Sequence, residues 1–141
     1  MGQQQLLLLV LGIVIVGLAV VVGIQAFGEN QKKANADAMV NDGVRIASDI
    51  QAWALKPQAF GGPSTSGDFS GVTFQQIGYR ISGSDYTNLN ATYNLGTPAA
   101  ACVMISGLSA SPNDNAVYVK VEGTLPENIT TEVNPATAPS C

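Results

Sequence analysis

The fold of this chain is decided by Leu6–Ile24, LLLLVLGIVIVGLAVVVGI, an apolar run that no charged or polar side chain interrupts. No charged residue precedes Glu29 either. At a rise of about 1.5 Å per residue, a helix of this length is long enough to cross the ~30 Å hydrocarbon core of a bilayer. A cleaved secretory signal would be shorter and would begin with basic residues. The run therefore predicts a membrane-length helix.

The helical pattern continues beyond the apolar run, through residues 28–56. Apolar side chains recur there at three- and four-residue steps, Met39 and Ile46 among them, and the charged residues largely fall between them. No earlier residue forces a break, but Pro57 disfavours helical conformation in the residue before it. We therefore predict one helix over Gln4–Leu55, apolar on all sides in its first half and amphipathic in its second.

The charge balance argues against one class of partner. The 141 residues contain 6 Lys and Arg against 10 Asp and Glu, a net charge of −4. Beyond Pro57 only Arg80 and Lys120 are basic, against six acidic residues, so this part carries the whole net charge (2 − 6 = −4). Nucleic-acid binding needs a basic surface, and we expect no nucleic-acid partner.

A Gly-, Pro- and Ser-rich connector, residues 57–71, separates the helix from a strand-rich domain, residues 72–141. Apolar alternation and turn residues predict strands over Val72–Ser82, Ala101–Ser106 and Ala116–Glu122, a short strand within Asp85–Leu95, a turn at Ser111–Asn115 and a loop over Pro126–Cys141. Three or four antiparallel strands cannot bury their inner face alone, so the amphipathic half of the helix is the expected cover. The predicted fold class is α+β, with a long helix packed on a small antiparallel sheet.

The chain has two cysteines, Cys102 in a predicted strand and Cys141 in the predicted tail loop. A disulfide between them would close a loop of about 40 residues and stabilise the domain by roughly 3–4 kcal/mol. The alternative is a buried thiol and a separate terminal thiol. The sequence does not support a metal site, because the chain has no histidine and no third cysteine. A disulfide would indicate an oxidising compartment and therefore export.

In its layout the whole chain resembles the type IV pilin superfamily, which includes the pseudopilins of type II secretion and related archaeal filaments. In that superfamily an apolar helix anchors the subunit in the membrane and later forms the filament core. The second half of the helix packs on an antiparallel sheet, and a C-terminal disulfide often follows. The matching parts here are Gln3–Ile24, Gly28–Leu55, Val72–Glu122 and the pair Cys102 and Cys141.

The resemblance implies a function and a set of partners. The chain would be the structural, major pilin-like subunit of an extracellular filament, held in the cytoplasmic membrane before assembly. Its partners would be identical subunits, a prepilin peptidase, an assembly ATPase and a platform protein. The filament core would be built from residues 1–27 through the apolar side chains Leu6, Leu7, Leu8, Leu9, Val10, Leu11, Ile13, Val14, Ile15, Val16, Leu18, Val20, Val21, Val22, Ile24 and Phe27.

The N-terminus departs from the family pattern at one position. Most type IV pilins have Glu as the fifth mature residue, and its carboxylate pairs with the N-terminal amine of a neighbouring subunit. With Met1 as the mature start, after removal of a basic leader, that position is Gln5, which can form hydrogen bonds but cannot neutralise an ammonium group. A start at Gln3 would instead place Leu7 there. We take Met1 and Gln5 as the expected processing and assembly residues.

We expect no enzymatic activity and no cofactor. The chain has no histidine, no catalytic triad and no phosphate-binding loop. Asn90 and Asn128 each begin an N-glycosylation sequon and are candidate modification sites. Two alternative functions stay open: a pseudopilin or minor pilin of a secretion or assembly system, and a single-pass membrane protein with an extracytoplasmic binding domain.

Overall fold

The computed structural model describes residues 2–110 and 112–141, so the expected processing of Met1 and the first residue of the predicted turn, Ser111, lie outside the described residues. The elements are helix α1 (Gly2–Ala54) and strands β1 (Tyr86–Thr87), β2 (Thr92–Leu95), β3 (Val103–Leu108), β4 (Ala116–Val121) and β5 (Ile129–Val133). Short 3-10 turns occupy Gln58–Phe60 and Pro126–Asn128. The α+β prediction is confirmed, since a long N-terminal helix and an open antiparallel sheet give the chain a pilin-like architecture.

The chain divides into two compact units, Met1–Lys33 and Ala34–Cys141. The first is the apolar part of α1, and the second contains the rest of α1 and the sheet; we call the second unit the head. Within the head, the five described strands form a meander in the order β1-β2-β3-β4-β5, with every neighbouring pair antiparallel. The longest pairing joins β3 to β4, where Ile105 lies opposite Val119.

The head has its core between the amphipathic part of α1 and one face of the sheet. The helix contributes a buried stripe at three- and four-residue steps, and strands β3 and β4 contribute alternate residues; together the main members are Met39, Ile46, Ala47, Ile50, Trp53, Val103, Ile105, Val117, Val119 and Val121. Helix and sheet are in close contact at Gly43, where a methyl group would lie 2.6 Å from Cγ2 of Val119. The predicted cover of the sheet by the helix is therefore present.

Buried polar groups tie the C-terminal end of α1 to the loops of the head. The side chain of Gln51 donates hydrogen bonds to the carbonyl oxygens of Gly123 (2.6 Å) and Leu125 (2.8 Å). The indole nitrogen of Trp53 donates to the carbonyl of Gly61 at 2.8 Å. These bonds satisfy side chains that would otherwise be buried without partners. They fix the end of the helix against two separate loops.

The predicted strand over Val72–Ser82 is wrong. Its residues form successive turns, and the amides of Gln76 and Gly78 each bond to the carbonyl three residues earlier in the chain. Gly71 and Gly78 have φ angles of 79° and 85°, the left-handed region that glycine adopts without steric cost. The apolar residues that suggested a strand instead anchor the loop, because Val72 and Phe74 are buried in the core.

Several further segments differ from the predictions. The region Asp85–Leu95 contains two short strands, because the chain reverses between them at Asn88–Ala91. The tail predicted as loop from Pro126 contains β5, which pairs with β4 along five residues. Strand β3 also lies two residues later than the predicted Ala101–Ser106. Strand β4, by contrast, has the predicted inward residues, one residue shorter than expected.

Candidate membrane and assembly surface

The first unit presents an exposed apolar surface. All sixteen large apolar side chains from Leu6 to Phe27 are between 50% and 70% exposed. They lie on every side of α1, so the segment has no polar face to turn toward water. Among the described residues, α1 is the one helix long and apolar enough to cross a membrane, by length and composition. A surface of this extent requires lipid or other apolar protein as its surroundings.

Three glycines lie within this surface, and no contact with another described residue requires a glycine at these positions. A methyl group added at Gly12, Gly17 or Gly23 would meet no described atom within 4 Å. Glycine in a helix interior costs about 1 kcal/mol relative to alanine. In membrane segments small residues let neighbouring helices approach closely. The space around these glycines is therefore free to accept another helix.

The start of the segment is polar but uncharged. Gln5 lies in the first turns of α1 and is exposed, as are Gln3 and Gln4. No acidic residue occurs in the first turn of the helix. The structure thus leaves the amide of Gln5 accessible to a partner, and its role in assembly stays a prediction.

On the head, the two cysteines form a disulfide between Cys102 and Cys141, across a sequence separation of 39. Strand β5 ends at Val133, which pairs with Val117 near the start of β4. Cys102 precedes Val103, which pairs with Val121 at the opposite end of β4. The tail after β5 must therefore return along the sheet to reach Cys102. Met104, which points away from the core residues beside it in β3, is nevertheless only 8% exposed.

The two sequons lie in different surroundings. The side-chain nitrogen of Asn90 donates to the carboxylate of Asp42 at 2.7 Å, and the residue is half-buried. Asn128 is half-buried beside Gly123. A methyl group added to Gly123 would lie 3.0 Å from Cγ of Asn128. Asn128 precedes the exposed Thr130 of the edge strand β5. Glycosylation at either position stays a prediction.

Around Asp42 the head contains a polar network that joins α1 to the β1–β2 turn. One oxygen of the Asp42 carboxylate accepts hydrogen bonds from Asn88 (2.8 Å), Asn90 (2.7 Å) and the hydroxyl of Tyr93 (3.1 Å). Burial, together with the negative charge of Asp42, raises the pKa of the Tyr93 phenol above its usual value. The phenol consequently stays protonated and continues to donate to the carboxylate.

A second tyrosine also donates a hydrogen bond to an aspartate of α1, about two helical turns after Asp42. The hydroxyl of Tyr79 donates to the carboxylate of Asp49 at 2.6 Å. Burial of the phenol, and to a smaller extent this hydrogen bond, raises the pKa of Tyr79. The rings of Phe74, Tyr79, Tyr86 and Tyr93 form a chain of aromatic contacts with centroids 4.8–6.1 Å apart. The aromatic cluster is a structural link between the loop 72–82 and the sheet.

The chain was compared with protein-family models, curated proteins and solved structures. None matches. The likeness to pilins therefore rests on architecture: a long apolar N-terminal helix whose second part packs on an antiparallel sheet, with a C-terminal disulfide. Over residues 2–110 and 112–141, no three His, Cys, Asp or Glu side chains gather in a group that could hold a metal ion.

Sequence reasoning missed several residues that shape the head. Gln51 and Asn88 carry no motif, and the sequon at Asn90 does not indicate its bond to Asp42, because only the fold brings these side chains to their carbonyl and carboxylate partners. The spacing of Asp42 from Met39 and Ile46 on α1 was the available signal, since it places the carboxylate at the border of the buried stripe.

Proposed function

We propose that this chain is the structural subunit of an extracellular, type IV pilus-like filament, assembled through its apolar N-terminal helix. The observation that carries the proposal is the exposed apolar surface of Leu6–Phe27, continuous in sequence with a folded, disulfide-closed head. Before assembly the same segment would hold the chain in the cytoplasmic membrane, with the head outside. The disulfide supports this placement because such bonds persist in oxidising compartments.

The glycines support packing against identical helices. Lipid tails are as apolar as leucine, so helix association in this setting depends on close van der Waals contact. Gly12, Gly17 and Gly23 leave unoccupied space along the segment. In the proposed filament this space receives side chains of neighbouring subunits. Gln5 supplies hydrogen bonds near the N-terminal amine in place of the carboxylate that most pilins have there.

The first test is shearing of surface structures from the cells that produce the protein. Electron microscopy of the sheared fraction, with antibody labelling against the head, should show labelled fibres. The intact mass should be two hydrogens below that of the reduced chain, and the first residue should be methylated. Protein found only as an unmethylated membrane species would contradict the filament and leave the single-pass membrane protein. Fibres seen only in association with a secretion machinery would indicate a pseudopilin.

A variant separates filament packing from membrane residence. Gly17→Leu keeps the segment apolar, so membrane insertion should be unchanged, but it fills the space at Gly17. Overpacking a close contact costs about 1–3 kcal/mol, and the contact would repeat in every subunit. We expect loss of fibres with normal membrane content. Gly17→Ala is the matched control and should retain most fibres. Equal fibre yield from both variants would show that this position is not in a packed interface.

A further inference from the structure

The two N-glycosylation sequons of the head, Asn90-Ala91-Thr92 and Asn128-Ile129-Thr130, differ in what holds their side chains. Both asparagines are half-buried, so burial alone does not separate them. Attachment of a glycan requires a free amide nitrogen on the asparagine, and the sequon also specifies a hydroxyl two residues later. The hydrogen bonds of these two groups therefore decide which sequon is available in the folded head.

In the first sequon the fold occupies both groups. The side-chain nitrogen of Asn90 donates to the carboxylate of Asp42 at 2.7 Å. The hydroxyl of Thr92 shares a hydrogen bond of 3.1 Å with the hydroxyl of Thr87. Ala91, between the two, is buried in the core, and Thr92 lies in β2, which is paired on both sides. Because a hydrogen bond to a charged group shifts an equilibrium by about tenfold or more, the free amide of Asn90 is a minor species.

The second sequon keeps both groups free. Within the described part of the chain, neither the side-chain amide of Asn128 nor the hydroxyl of Thr130 has a hydrogen-bond partner. Every fully buried side-chain nitrogen or oxygen there is bonded, so the unbonded amide of Asn128 reaches solvent. A methyl group added to Gly123 would lie 3.1 Å from Nδ2 of Asn128. Glycine at this position therefore leaves the amide uncovered on that side.

The backbone presents the second sequon at the border of the sheet. Asn128 ends the turn Pro126–Asn128, and β5 begins at the next residue. Strand β5 pairs with β4 on one side, and no other described strand lies beyond it. Strand β2, which contains Thr92 of the first sequon, lies instead between β1 and β3. An enzyme can therefore approach the second sequon from the open side of β5 without separating any strands.

We infer that the folded head presents Asn128 as an acceptor for an N-linked oligosaccharide and withholds Asn90 from the same reaction. The donor is a lipid-linked oligosaccharide diphosphate, and a membrane oligosaccharyltransferase catalyses the transfer. Nδ2 of Asn128 forms a bond to C1 of the first sugar while the bond between C1 and the phosphate oxygen breaks. The lipid diphosphate leaves with the electron pair of that bond, and the amide nitrogen releases one proton. The inference rests on the exported head of the proposed function, because these sequons are modified in secreted proteins.

The test uses the full-length, oxidised chain, produced in a host that does not N-glycosylate proteins and purified in detergent micelles. The chain is incubated with a lipid-linked oligosaccharide and a single-subunit oligosaccharyltransferase that accepts Asn-x-Thr sequons. Tandem mass spectrometry of its peptides measures the glycan occupancy of each asparagine. We expect modification at Asn128 and an occupancy at least about tenfold lower at Asn90. Thr130→Ala should abolish the modification at Asn128, whereas Thr92→Ala should leave it unchanged.

A variant of α1 tests whether the bond to Asp42 is what withholds Asn90. Asp42→Ala removes the acceptor of the Asn90 amide, so the occupancy of Asn90 should rise by on the order of tenfold. Asp49→Ala is the matched control, because it removes an acceptor of a tyrosine hydroxyl on the same helix and does not free Asn90. Fluorescence of Trp53 verifies that both variants fold. If Asp42→Ala does not fold, the occupancies of the wild-type chain still decide the inference.

Two peptides, residues 86–95 and 124–133, separate the effect of the fold from that of the local sequence. Each contains one of the sequons outside the folded head, and both should be modified by the same transferase. They also show that the transferase is active. A peptide 86–95 that resists modification would show that the local sequence, and not the fold, excludes Asn90, and would overturn this part of the inference.

The outcomes separate this inference from the filament function. An unmodified Asn128 in the folded chain, or an occupancy of Asn90 equal to that of Asn128, would overturn the inference. Labelled fibres in the sheared fraction would then leave the filament function in place. The transfer assay uses purified protein and no fibre, so an absence of fibres would contradict the filament without changing the measured occupancies.

Discussion

Helix α1 and the sheet meet at Gly43, and enlarging this residue is a direct test of how the head is packed. A methyl group on Gly43 would lie 2.6 Å from Cγ2 of Val119. Val119 is 1% exposed and lies in the middle of β4, so it has little room to move. As a β-branched residue it also has restricted side-chain rotation. Gly43→Ala therefore forces the helix away from the strand.

Two opposing contributions determine the size of the effect. Replacing glycine by alanine within a helix gains about 1 kcal/mol from backbone entropy and helix propensity. Overpacking of a tight core costs about 1–3 kcal/mol. We expect the clash to dominate and Gly43→Ala to lower the free energy of unfolding by up to about 2 kcal/mol, with a Tm decrease of roughly 4–8 °C for each kcal/mol in a domain near 100 residues.

The assay is urea unfolding of the full-length protein in detergent micelles, followed through Trp53, the only tryptophan, which is 3% exposed. The decisive comparison is a double-mutant cycle with Val119→Ala, which removes the clashing methyl groups. In that background Gly43→Ala should be neutral or stabilising by up to about 1 kcal/mol. An equal loss of stability in both backgrounds, or a gain in the wild-type background, would refute the close contact.

Three further results are expected from the same unfolding measurement. Replacing Cys102 and Cys141 by serine should cost roughly 3–4 kcal/mol through the freed loop, whereas a change below about 1 kcal/mol would contradict the bridge as a main source of stability. Gln51→Leu should cost about 1–3 kcal/mol because it removes both hydrogen bonds from the buried Gln51 amide to the carbonyls of Gly123 and Leu125, and Gln51→Glu, which also lacks the amide donor, should not restore it. Since burial raises the pKa of Tyr93, the folded head holds the phenol proton of Tyr93 more tightly than the unfolded chain does. The protonated phenol therefore stabilises the head fully below the unfolded pKa of about 10, and this stabilisation declines as the pH rises above that value. Tyr93→Phe should reduce that decline, and an unchanged slope between pH 9 and 11 would contradict the assignment.

The sequence was most informative where one physical signal dominated. The apolar run and the amphipathic period predict α1 closely, because burial of a helical stripe requires that spacing. Strand β4 was equally clear, since Val117, Val119 and Val121 alternate with residues that face away from the core. In both cases the pattern repeats over enough residues to fix both the element and its buried face.

The predictions failed where burial and local pattern diverge. In β5 four of five residues are exposed, so this edge strand has no apolar alternation to detect. Residues 72–82 show the reverse, because their apolar side chains reach the core from turns made possible by glycines with positive φ. The Asp42 network was beyond reach for another reason: it joins residues 46 to 51 positions apart in the sequence, and only the completed fold brings them together.

The disulfide has a mechanical consequence for a chain under tension. A pulling force between α1 and Cys141 follows the covalent path to Cys102 and then crosses directly through the sulfur atoms. Strands β3, β4 and β5 lie within the bypassed loop and carry none of the load. Reduction of the bridge would place the 39-residue separation under load and add about 130 Å of extensible contour length. In the oxidised head, three of the five described strands are therefore protected from stretching.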